Sequence, residues 1–175
     1  MTKGRENAEP EGVARYARRV SLGTSVWYVG NLFTILAGSE DTEGRFALIE
    51  ILARKGAEPP RHVHTHEDEA FYVLEGEITF YVGDETYRAT PGMFVFLPRG
   101  VAHSFVLETD VVRKLLTETP GGIEKHFRDP RFSEPARTLT LPPPAEEPPD
   151  VAALVEDMAR YGVEVVGPPG PPVQG

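Results

Sequence analysis

The chain has 175 residues, 40% hydrophobic and 26% charged, which suits one soluble globular domain with a real core but not two full-sized domains. Its formal net charge of -9 argues against nucleic acid or an anionic membrane as partner, because those surfaces recruit clustered Lys and Arg. There is no cysteine, so disulfides, thiolate nucleophiles and Cys-ligated zinc are excluded, and any metal must be held by histidine and carboxylate.

Residues 1–12 are polar and read as disordered, and Glu11 to Arg19 offers only sparse apolar positions for a helical turn or two. The first 20 residues lack the apolar core of a secretion signal. Val26 to Ala37, the longest apolar segment, contains Gly30 and Asn31 and is too short to span a bilayer, so a soluble cytoplasmic protein is expected. From Ser25 the chain becomes rich in β-branched and aromatic residues. Val26 to Val29 and Leu32 to Leu36 predict two strands around Gly30-Asn31, followed by an acidic loop from Ser39 to Gly44 and a strand from Phe46 to Ala53. Beyond the break at Gly56 to Pro60 and a histidine-rich stretch, Ala70 to Leu74 predicts a strand with Glu77 to Val82 as its hairpin partner across Glu75-Gly76. Thr86 to Ala89, Met93 to Leu97, Val101 to Leu107 and Val111 to Thr117 follow as strands punctuated by Gly and Pro. Short strands at steady spacing indicate an all-β sandwich or barrel rather than a parallel α/β sheet. No glycine-rich phosphate loop follows a strand, and Gly121-Gly122 carries no weight as one.

Past Pro120 the composition shifts. Pro142-Pro143-Pro144 and Pro148-Pro149 read as a stiff extended linker. Asp150 then caps a predicted helix over about 151–161, with Val151, Leu154, Val155, Met158 and Tyr161 as an apolar stripe for the barrel or a second subunit, and Gly162 as its end. Residues 168–175 read as a loose Pro/Gly tail. The expected organisation is an N-terminal arm over 1–24, a barrel over 25–119, and a proline-rich C-terminal extension over 120–175.

The stretch from His62 to Glu69 holds three of the five histidines. On a strand, residues i and i+2 share a face roughly 6–7 Å apart. His62 and His64 could therefore reach one metal ion, and a turn could bring Glu69 to the same point. A polar, solvated strand end before a turn fits the same residues equally well. His103, after the Pro98-Arg99-Gly100 turn, is the remaining histidine among the strands; taken alone it reads as a satisfied core histidine more readily than as a ligand.

Together these positions resemble the cupin superfamily. Its first motif, Gly, five residues, His, one, His, three or four, Glu, six, Gly, is filled by Gly56, His62, His64, Glu69 and Gly76. Its second, Gly, five, Pro, one, Gly, two, His, three, Asn, is filled by Gly92, Pro98, Gly100 and His103, with Leu107 where Asn is expected. The spacer from Glu77 to Pro91 is of a length typical of small single-domain members. The run from Pro59 to Gly76, the Trp27-Tyr28 segment and the helical, proline-rich tail look most like the quercetin 2,3-dioxygenase group.

The resemblance implies a cupin jelly-roll barrel (a double-stranded β-helix) with a short C-terminal helix. It also implies one divalent transition metal ion (Fe, Ni, Mn, Co, Cu or Zn) held by His62, His64, Glu69 and His103. A metal-dependent dioxygenase would then add O2 to a flavonol or other aromatic or enolisable small molecule, with Glu69 both ligand and catalytic base. Other functions stay open: a metal-dependent isomerase or lyase on a small oxo-acid or sugar, or a non-catalytic metabolite-binding protein. A DNA-binding sensor is disfavoured, since residues 1–24 are too short for a helix-turn-helix domain. A homodimer is expected, with neither nucleic acid nor membrane as partner. His66 is expected to orient a ligand or sit in the turn, and Glu67 and Asp68 to face solvent. The candidate apolar pocket draws on Tyr28, Phe33, Tyr72, Met93, Phe94, Phe96 and Phe105. Arg54, Arg61, Arg88, Arg99 and Arg113 could serve an anionic sugar substrate.

Overall fold

The computed structural model describes residues 15–145 and 147–172. The strands in chain order are β1 (Ser25–Tyr28), β2 (Asn31–Ala37), β3 (Ala47–Arg54), β4 (Arg61–His64), β5 (Asp68–Glu75), β6 (Ile78–Val82), β7 (Glu85–Ala89), β8 (Phe94–Leu97), β9 (His103–Leu107), β10 (Val111–Thr119), β11 (Ser133–Pro135) and β12 (Val163–Gly167). Among the described residues a 3-10 turn (Leu22–Thr24) precedes β1, and three α-helices interleave with the strands: α1 (Ser39–Thr42), α2 (Glu124–Phe127) and α3 (Val151–Arg160). The strands form two antiparallel sheets, ordered β11-β1-β2-β3-β10-β5-β8 and β12-β4-β9-β6-β7. This is the all-β jelly-roll arrangement expected, with the short C-terminal helix in place.

Alternation builds the interior. Along β3, Ala47, Ile49, Ile51 and Ala53 are buried and the residues between them are only half-buried, the period-2 pattern of a strand with one face inward. Phe71, Phe80, Phe105, Leu107 and Val73 meet them from the other strands in one continuous core. Burying each large side chain contributes about 1.5–3 kcal/mol. The inner row of β10 is unusual: Val112, Lys114, Leu116 and Glu118 are all buried, so two ionisable groups stand among the apolar ones.

Several expectations need correction. β5 and β6 are not a hairpin: β5 pairs with β10 and β8, while β6 pairs with β7 and β9 in the opposite sheet. The Glu75-Gly76 corner therefore carries the chain between sheets. Gly76 has φ +81°, and a Cβ there would lie 2.6 Å from Thr109 Oγ1 and 2.7 Å from the Val111 carbonyl, so the corner wraps too tightly over the β9–β10 connection for any side chain. The acidic stretch from Ser39 contains the helical turn α1, whose Ser39 amide donates to buried Glu124. The helical turn expected within Glu11 to Arg19 is not formed over residues 15–19, and its residues 11–14, like the tract 1–12, lie outside the described residues.

The C-terminal extension adds an edge strand to each sheet, β11 beside β1 and β12 beside β4. Its proline-rich segment is pinned to the barrel, with Thr140 accepting from Trp27 Nε1 and Pro142 from Arg54. The expected loose tail is tied down where it is described: the Arg61 amide donates to Pro168, and Ser104 to Gly170. Residues 173–175 lie outside the described residues. Among the described residues, no helix is long and apolar enough to cross a membrane.

Candidate metal centre

His62 and His64 stand on the same face of β4, as the strand period requires. β4 pairs with β9 at one position, His62 opposite His103, which brings those rings to a centroid separation of 4.5 Å. Glu69 comes from β5 in the facing sheet after the turn at 65–67. The turn motif around Pro98 holds this arrangement, because the Gly100 amide donates to the His64 carbonyl at 2.8 Å. All four side chains are buried, with one ligand atom from each lying within 4.8 Å of every other. His62 Nε2 and His103 Nε2 are 3.2 Å apart, His103 Nε2 and Glu69 Oε2 2.9 Å, and His64 Nε2 and Glu69 Oε2 3.6 Å.

The donor set fits a transition-metal ion. Donors about 2.0–2.2 Å from a shared centre stand roughly 3–3.5 Å from one another, close to the 2.9 to 3.6 Å found for these three pairs. The outer nitrogens of the rings are engaged: His62 Nδ1 donates to the Pro60 carbonyl at 2.7 Å and His103 Nδ1 to the Val101 carbonyl at 3.0 Å. His64 Nδ1 lies 3.4 Å from Glu67 Oε2. A neutral ring that donates from Nδ1 turns its Nε2 lone pair inward. The facing lone pairs of His62 and His103 repel each other unless a cation stands between them.

Electrostatics agree. Burial, aided by His103, lowers the His62 pKa to about 4 and so keeps the ring neutral. Burial opposes protonation of His64 as well, but Glu69 and Glu67 outweigh it and raise that pKa. Burial by itself raises Glu69, yet His64, His103 and His62 together hold the carboxyl well below its usual range. A carboxylate and imidazole nitrogens thus share one buried point, the donor chemistry of Zn, Fe, Mn, Ni, Co or Cu sites.

The cluster opens on a cavity of about 310 Å³, within the usual range for small-molecule sites. Of the aromatic residues considered for a pocket, Tyr28, Phe33 and Phe105 line it, with Phe71, Leu107, Leu116 and Phe127. Tyr72, Met93, Phe94 and Phe96 do not. They are 40%, 41%, 62% and 52% exposed, because β8 turns Val95 and Leu97 inward and presents both phenylalanines outward, beside Ala70 and Tyr72 of β5. That register was not legible from alternation alone. α3 roofs the cavity with Leu154, Val155 and Met158. Its Asp157 accepts from His126 Nδ1 at 2.7 Å and from Arg131, while His126 Nε2 bonds the Tyr28 hydroxyl at 2.8 Å.

Two expectations around the ligands change. Glu67 does not face solvent but is 6% exposed and orients His64, the part expected of His66, which is exposed. Asp68 is half-buried and bound by Arg99 at 2.6 Å. None of the five arginines considered for an anionic substrate lines the cavity. Arg61 donates to the carbonyls of Tyr81, Gly83 and Ala102, Arg54 is held by Pro142, and Arg88, Arg99 and Arg113 pair with acidic residues. Lys114 lines it instead; the adjacent cations Arg113 and Lys114 interrupt the apolar-polar alternation of β10 and hid which of the two points inward.

The family described as "Cupin domain" matches residues 49–117, the segment containing all four cluster residues. The match takes in less than half of the chain, and over that segment the chain resembles the cupins. The cupin fold is shared with an RmlC-like cupin from Shewanella frigidimarina NCIMB 400, at TM-score 0.54 and 22% identity over 65% of this chain and 98% of that one. It is shared also with the ectoine synthase of P. lautus, at TM-score 0.52 and 23% identity over 71% and 86%. Among curated proteins, the quercetin 2,3-dioxygenase of Bacillus subtilis (strain 168) is 28% identical over 119 residues, which are 68% of this chain and 35% of that protein. The chain thus matches about a third of that protein's length. An uncharacterised protein of Streptomyces coelicolor is 35% identical over 54 residues, 31% of this chain and 51% of the relative.

Proposed function

We propose that this protein is a metal-dependent dioxygenase of the quercetinase-like type, acting on a flavonol or other enolisable small molecule. One observation carries the reading: the four buried ligand atoms lie within 4.8 Å of one another, and three of their residues, His62, His64 and Glu69, line an apolar cavity of about 310 Å³. Likeness to the Bacillus subtilis enzyme supports the choice among cupin chemistries.

His62, His64, Glu69 and His103 hold one divalent transition ion in this proposal. When bound, such an ion supplies Lewis acidity that favours the ionised form of a substrate hydroxyl. With four protein donors, such an ion would have room for a substrate oxygen, as a catalytic site requires. Glu69 Oε2, 2.9 Å from His103 Nε2 and 3.6 Å from His64 Nε2, takes the hydroxyl proton. Phe33, Phe71, Phe105 and Leu107 flank the carbon skeleton, and the α3 roof keeps bulk water from the electron-rich enolate that O2 attacks.

The test is oxygen uptake by metal-loaded protein with a series of flavonols, alongside elemental analysis. Uptake that disappears in His64→Ala supports the reading. A full complement of bound metal with no uptake for any flavonol refutes it and favours an isomerase or lyase that does not use O2.

A further inference from the structure

Two of the four residues in the inner row of β10 are ionisable: Glu118, whose two carboxylate oxygens find no partner among the described residues, and Lys114, the one that reaches the cavity. Lys114 is 2% exposed. Its Nζ stands 3.6 Å from the Phe105 ring centroid and 4.6 Å from that of Phe71. It makes no hydrogen bond to any described residue. The carboxylates that act on it are Glu69 and Glu58, and both are engaged elsewhere: Glu69 with His103 and His64, Glu58 with the Leu107 and Gly56 amides. A buried ammonium has three donors, and aromatic faces satisfy its charge in part but accept none of them well. Burial pushes its pKa down to about 7, against the pull of Glu69 and Glu58, which is the mark of a cation lacking a close counter-charge.

The neighbours of Lys114 fix where it sits. Phe71 is two residues along β5 from Glu69, and Phe105 two along β9 from His103. At the backbone level, its two ring partners thus stand one strand repeat, about 7 Å, from the cluster residues of the same strands. No other Lys or Arg lines the cavity among the described residues. The space between is apolar.

We propose that Lys114 anchors a carboxylate of the substrate, so that the ligand of this barrel is a small, largely apolar acid. Its carboxylate accepts from Nζ between Phe71 and Phe105, while an enolisable or hydroxyl oxygen faces His62, His64, Glu69 and His103. This rests on the reading of that cluster as the metal centre, and it narrows the substrate class from enolisable molecules in general to acids. Lys114 is a specificity residue here and exchanges no atom with the substrate. A neutral amide of the same shape leaves the ammonium without its counter-charge and is rejected.

A panel of aryl and alkyl carboxylic acids, each beside its primary amide, tests this by thermal shift and calorimetric titration on the full chain. Metal content is measured on the same samples. Wild type should bind at least one acid about tenfold or more tighter than its amide. Lys114→Met should erase that preference with metal content unchanged, and Lys114→Arg should keep part of it. The proposal falls if no acid is preferred over its amide by wild type, or if the preference survives in Lys114→Met. An acid preference in a protein that holds no metal would refute the metal reading and leave the Lys114 anchor standing. Bound metal without acid preference would do the reverse.

Discussion

Replacing Lys114 with methionine should make the metal-stripped protein more stable, and by an amount that depends on pH. In the unfolded chain this lysine titrates at its ordinary 10.5, while in the folded barrel burial lowers the value to about 7. Below pH 7 both states hold the proton, and the folded state bears the whole penalty of a buried ammonium. Above 10.5 neither state holds it, and the penalty vanishes. Between the two the unfolded chain binds more protons, so wild-type stability rises with pH across that window. The difference between 10.5 and about 7 corresponds to on the order of 3–5 kcal/mol at 1.36 kcal/mol per unit; full burial leaves no solvent screening to reduce it. Methionine has a similar length, and its sulfur suits the Phe71 and Phe105 faces. Urea denaturation of chelator-treated wild type and Lys114→Met should show the variant ahead by a few kcal/mol near pH 6–7, with the gain shrinking towards pH 10. A variant less stable than wild type at pH 7, or a gain of equal size at both ends of the range, would refute the reasoning.

Four further outcomes follow from the same geometry. His62→Ala and His64→Ala should abolish metal binding, and Glu67→Gln should weaken it about ten- to a hundredfold by freeing His64 Nδ1 from its carboxylate, as read by competition with a chromogenic chelator. Asp157→Ala leaves buried His126 Nδ1 without its acceptor and removes one of the two carboxylates that bind exposed Arg131. It should cost about 2–4 kcal/mol and raise hydrogen exchange in α3 ahead of the barrel strands. Gly76→Ala meets both the left-handed φ and the contacts near 2.6 Å with Thr109, and should lower stability by at least about 2 kcal/mol in thermal unfolding. The outward aromatics of edge strand β8, Phe94 and Phe96, form an apolar row suited to an isologous contact with a second copy. Sedimentation should show a dimer for wild type and a monomer for the Phe94→Ser, Phe96→Ser double variant, with metal content retained; a monomeric wild type would defeat this.

The candidate ligands were legible because fixed sequence spacing and strand geometry describe the same thing. His62 and His64 are two apart on one strand, and Gly100 sits where its amide must meet the His64 carbonyl. What escaped the sequence depended on register or on partners distant in the chain. Alternation states that half of Phe94, Val95, Phe96 and Leu97 face inward without stating which half, and the wrong half was aromatic. Glu67 looked like one more solvated acid because its partner His64 lies across a turn rather than across a strand. β12 was hidden behind the helix stop at Gly162: Val163 to Gly167 is too short to declare itself until β4 offers an edge. The sheet change at Gly76 resembled an ordinary hairpin turn, since glycine serves both purposes.

Gly162 also joins two parts that would otherwise act separately. On one side of it stands the roof helix; on the other, β12 places Val163 opposite His64 and Val165 opposite His62. The joint has no slack, because a Cβ there would lie 2.5 Å from Thr65 Oγ1 and Thr65 binds the Gly162 carbonyl through both its amide and its hydroxyl. Lifting the roof to admit a molecule therefore either drags on the strand carrying two of the candidate ligands or ruptures the Asp157 contacts first. The contacts that fasten the roof over the cavity thus lie in a part of the chain outside both sequence motifs.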